Sequence, residues 1–62
     1  MKPISILVEL PDTQAWALAQ LLKRVCLDDY RQRAADDAEA WAMLQAGEKV
    51  RAALAEAGYA PR

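Results

Sequence analysis

Three observations predict a mainly α-helical fold with one N-terminal β-strand, in the order β-α-α. They are an alternating apolar segment at residues 4–10, the Leu10-Pro11-Asp12 junction behind it, and helical periodicity through the rest of the chain. The chain has 62 residues, room for one domain over 1–62 and for a small core only. Chains of this size usually add a disulfide, a metal or a second copy of themselves. The single cysteine, Cys26, can form no internal disulfide, and the absence of histidine removes the common zinc sets. Oligomerisation is the remaining expectation.

In residues 4–10, Ile4, Ile6, Val8 and Leu10 share one side, while Ser5, Leu7 and Glu9 share the other, the pattern of a half-buried strand. Pro11 ends it, because proline offers no N–H to a ladder. Asp12 is read as the N-cap of a first helix over 13–26. That helix carries Ala15, Leu18, Leu21, Leu22, Val25 and Cys26 on a broad apolar face, with Gln20, Lys23 and Arg24 opposite. Asp28 and Asp29 mark a restart, and a second helix is predicted over 29–57, with Asp29 and Arg33 spaced for an i, i+4 ion pair.

Within that second stretch the apolar stripe changes sides. Leu27, Tyr30, Ala34, Ala38, Trp41 and Leu44 form one row, whereas Ala46, Val50, Ala53, Leu54 and Ala57 lie roughly opposite Trp41. Either the helix breaks near Gly47 or one long helix offers its halves to different neighbours. Gly58 closes the last turn, and residues 58–62 form a tail.

The chain contains no second β pattern, so the strand at 4–10 is expected to find its mate on another molecule. A two-fold would then pair two copies as an intermolecular two-stranded antiparallel ribbon in a homodimer. The expected dimer interface is Ile4, Ile6, Val8, Leu10, Leu18, Leu22, Val25 and Trp41.

The order strand, Leu10-Pro11-Asp12, helix with Leu18, Leu22 and Val25, polar cap, helix resembles the ribbon-helix-helix family of dimeric DNA-binding regulators over roughly residues 4–45. The resemblance implies that Ser5, Leu7 and Glu9 would face a DNA groove and that Asp28 and Asp29 would meet phosphate. That is poor chemistry for DNA, since paired Glu9 side chains and a doubly acidic helix start repel the backbone. Two stretches, residues 10–20 and 48–62, also look like those of short bacterial and mobile-element open reading frames, a likeness that implies no function.

Composition excludes more than it assigns. Eight basic and nine acidic residues leave a net charge of −1, with no large positive field to recruit a polyanion. No apolar run is long enough for a membrane span and no cleavage site follows the N-terminus, so the chain reads as cytoplasmic. No cofactor is expected and no enzymatic activity. Cys26 has no histidine to activate it and reads as a small buried hydrophobe. Asp36 and Asp37, adjacent on a helix, diverge by about 100° and with Glu39 form no evident metal set. Arg31, Arg33, Lys23 and Arg24 are interleaved with acids and read as a solvated surface.

The expected partner-binding residues are Trp16, Gln20, Lys23, Leu7 and Glu9. Trp16 is apolar on a polar face, which makes it either an exposed anchor or a residue covered by the second helix or the tail. Leu7 projects from the outer strand face, exposed or covered by a later helix. The predicted protein is a small homodimeric binding module that is regulatory through protein–protein contact. The alternatives are a DNA-binding transcriptional regulator and a mobile-element accessory or inhibitor protein.

Overall fold

The computed structural model describes residues 2–62 and contains three helices: α1 (Asp12–Arg24), α2 (Leu27–Arg31) and α3 (Asp37–Glu56). Both α1 and α2 pack against α3. The hydroxyl of Tyr59, just past the end of α3, donates to the Asp12 carboxylate at the start of α1 over 2.7 Å, so α1 and α3 run antiparallel.

The expected strand is not formed, and with it the intermolecular ribbon and the β-α-α fold class are set aside: among the described residues there is no β-strand. Residues 4–10 form no regular secondary structure, and none of their backbone groups joins a hydrogen bond among the described residues. The alternation of Ile4, Ile6, Val8 and Leu10 is nevertheless put to use, since all four line an apolar groove on the helices. Period-two hydrophobicity reports one face turned to an apolar surface, and it does not by itself require a ladder.

The helix expected over 29–57 is two helices. α2 ends at Arg31, and residues 32–36 turn the chain into α3. The cause is capping: the Asp36 carboxylate accepts from the Glu39 N–H at 2.8 Å, and Glu39 reaches back to accept from the Ala35 N–H at 3.0 Å. Asp36-x-x-Glu39 is close to the capping-box pattern, a signal outweighed in the sequence by the helix propensity of Ala34 and Ala35. A second tie holds the turn, with Arg31 bridging Asp28 at 3.2 Å and Asp37 at 3.5 Å.

Two smaller boundaries differ from expectation. Pro11, not Asp12, is the N-cap of α1 and makes no side-chain cap, which leaves the Asp12 carboxylate free for Tyr59. α1 stops at Arg24, and Cys26 becomes the N-cap of α2, exposed rather than buried. Arg33 does not pair with the Asp29 side chain but donates to its carbonyl oxygen at 3.0 Å.

α3 runs through Gly47 without a break. A Cβ on Gly47 would stand 2.5 Å from the Tyr30 hydroxyl and 3.4 Å from Leu22, so the glycine admits the α2 phenol against the α3 backbone. Gly58, at φ 101°, ends α3, with the Tyr59 N–H returning to the Leu54 carbonyl at 2.8 Å in a Schellman-type turn.

The fully buried set is Ala15, Ala19 and Ala40. Leu18, Leu22, Met43, Leu44 and Leu54 are half-buried around it, and Trp41, expected in the core, remains 48% exposed. The reason is angular. Trp41 lies about 100° around α3 from Ala40 and so falls off the inward stripe.

Candidate functional site

The apolar side chains left over by this small core gather on one flank. On α1, Leu18 and Leu21 lie to one side of the Ala15/Ala19 row, and on α3 and its C-cap, Ala46, Val50, Ala53 and Ala57 lie to one side of the Ala40/Gly47 row. Because the helices are antiparallel, the two flanks adjoin. Residues 4–10 cross this surface at a stand-off, leaving a groove of about 640 Å³. Ile4, Ile6, Val8 and Leu10 line one wall, and Leu18, Val50, Ala53, Leu54 and Ala57 line the other, with Ser5 and Lys49 as its polar members.

The wall formed by the extended segment is thinly supported. Ile4 is 87% exposed, and Leu7, which points away from the groove, is 90% exposed. Farther along α1, a second depression of about 450 Å³ is floored by Leu21, Leu22, Val25 and Tyr30 and rimmed by Arg24, Arg33 and Asp29. Four of the expected interface residues, Ile4, Ile6, Val8 and Leu10, therefore meet Leu18 at the groove. Leu22 and Val25 belong to the second depression, and Trp41 to neither.

The expected partner-binding residues are not brought together. Leu7 and Glu9 are exposed on the N-terminal segment, whereas Trp16 and Lys23 occupy the α1 flank away from the groove. Trp16 meets the Tyr59 ring edge-to-face, centroids 5.1 Å apart, and stays 39% exposed; Gln20 and Lys23 are half-buried. Cover of Trp16 by the tail, through Tyr59, was one of the two sequence expectations; the Tyr59 bond to Asp12 was not foreseen, since no local pattern announces a contact with a residue 47 positions earlier. The Val50, Ala53, Leu54 and Ala57 wall did have a signal, the apolar stripe that changes sides along α3.

Hydrogen bonds shift the ionisation of two groups, Tyr59 and Asp29. Donation to Asp12 raises the Tyr59 phenol above its ordinary value, helped by slight desolvation and by the charge of Asp12. The stability this contributes is present below the unfolded tyrosine value and is lost as pH rises through the folded one. In a Tyr30→Phe background Tyr59 is the sole phenol. Its tyrosinate absorbance is then expected to titrate above 10.0, the ordinary value. Asp12→Asn should bring the titration back down, and an unchanged midpoint in that variant would show that the contact does not form in solution.

The Asp29 carboxyl is held below the usual range by the Cys26 backbone N–H at 2.9 Å and then by the Cys26 thiol at 3.3 Å; desolvation opposes them, and the Arg33 charge adds the least. That contribution is present above the unfolded carboxyl value and fades as pH falls through the folded one.

Among the described residues, no cluster of acidic or sulfur ligands is placed to hold a metal, and no helix is long and apolar enough to cross a membrane. A model of a family of unknown function (DUF7706) matches residues 1–62, the whole chain. The chain belongs to that family. Comparison with curated proteins and with solved structures returns no match. Family membership leaves the groove and its exposed aliphatic walls as the guide to what the protein does.

Proposed function

We propose that the protein is a small non-catalytic binding module that holds an apolar protein surface in the groove between residues 4–10 and the α1/α3 flank. One quantity carries this reading. A compact monomer of 6.9 kDa exposes about 4,000 Å², whereas this chain exposes 5274 Å², an excess of roughly 1,300 Å². The exposed surface includes branched aliphatic side chains, Ile4, Ile6, Leu7, Val8, Leu21 and Val50. Contiguous apolar surface of this kind marks an interaction site. A standard protein interface takes about 800 Å² from each partner, which the surplus is large enough to supply.

Ser5 and Lys49 are the polar members of the groove, and Arg24, Asp29 and Arg33 those of the second depression, as expected for a rim. Trp16 with Tyr59 forms a second, smaller exposed aromatic patch. Leu7 and Glu9 border the groove from outside.

Carbene footprinting of the chain in native cell extract tests the reading. Ile4, Ile6, Val8 and Val50 should be labelled far less than their exposure in the isolated chain implies. Labelling in proportion to that exposure would mean that nothing covers the groove.

A further inference from the structure

We infer that the groove's occupant is a second copy of this chain, seated flank to flank through α1 and α3. The inference rests on the groove being a protein-binding surface, and it names the partner. Among the described residues the buried ones are three alanines, Ala15, Ala19 and Ala40, which bring the helices close but contribute little apolar area. A domain of this length gains little stability even from a well-filled core. The aliphatic flank must therefore be covered for the helices to persist, and the one surface always present in step with the chain's own synthesis is another copy.

Area and charge agree. The surplus of roughly 1,300 Å² over a compact monomer exceeds the share of about 800 Å² that each member of a standard interface gives. A net charge of −1 on each chain offers no long-range repulsion between copies. A two-fold makes the contact isologous, so that Leu21 and Val50, both exposed on the flank, become buried on both copies by one docking event. The contact is helix on helix. Residues 4–10 of each copy, which carry the most exposed aliphatic side chains, lie within the contact, and no strand pairing is required.

The purified full chain, run through size exclusion with light scattering across a hundredfold range of concentration, is expected to show a mass near twice 6.9 kDa at the upper end. Val50→Glu should drive it to the single-chain mass, and Trp41→Glu, on the other side of α3, should leave the dimer. Because a glutamate variant can fail to fold, Val50→Cys in a Cys26→Ser background provides a second measurement: a short bis-maleimide should give a covalent dimer in high yield. An equal or better yield from Trp41→Cys in the same background overturns the assignment of the face. A wild-type chain of single-chain mass at every concentration overturns the second copy as occupant. If the groove is nonetheless protected in cell extract, the binding reading survives that failure; if it is not, both fall.

Discussion

Ala19→Leu is expected to destabilise the fold by about 1–3 kcal/mol, although it adds apolar volume to an apolar site. Ala19 is fully buried in α1, at 0% exposure, on the row that faces α3. A leucine there must push the helices apart or take a strained rotamer, and in a chain whose core supplies no more than about 3–5 kcal/mol such a loss approaches unfolding. The control is Ala17→Leu, at an exposed position one step off the row, where a change within about 0.5 kcal/mol is expected. Urea titration of the helical circular dichroism, at one fixed protein concentration because association shifts the midpoint, measures both. A stabilised Ala19→Leu would mean that α1 and α3 do not meet through alanine.

Gly47→Ala is expected to reverse sign with its surroundings. In a helix interior alanine is favoured over glycine by about 1 kcal/mol, so the substitution should help wherever space allows. Here the new Cβ would meet the Tyr30 hydroxyl at 2.5 Å, and displacing the phenol opens the contact between α2 and α3. The clash is expected to outweigh the propensity and leave a net loss of about 1 kcal/mol. In a Tyr30→Phe background the hydroxyl is gone, the next atoms stand at 3.4 and 3.5 Å, and the same substitution should become stabilising by up to about 1 kcal/mol. The coupling between the two positions follows from the four midpoints of a double-mutant cycle. Additive effects would show that Tyr30 does not occupy the notch at Gly47.

The parts of the fold legible in the sequence are those fixed by neighbours three or four apart. The helical character of Leu18 and Leu22 in α1 and the end of α3 at Gly58 are of this kind. The turn at 32–36 was also legible, through Asp36 and Glu39, but helix propensity at Ala34 and Ala35 masked it. The extended segment shows the opposite case. Its alternation grouped Ile4, Ile6, Val8 and Leu10, all of which line the groove, but Ser5 of the other set lines it too and none of the seven is buried. It carried no information on whether the backbone would be paired.

By itself, then, the sequence determined the chemistry and the local faces: no histidine, one thiol, nearly balanced charge, and apolar rows at helical spacing. Those follow from composition and from bonds between near neighbours. Only the tertiary structure decided that α1 and α3 meet through alanines, that Gly47 is a notch for Tyr30, and that Tyr59 closes on Trp16 and Asp12. Each of these depends on which rows approach within contact distance across 17 or more positions of chain. Close packing selects that by shape, and shape is not written in any local pattern.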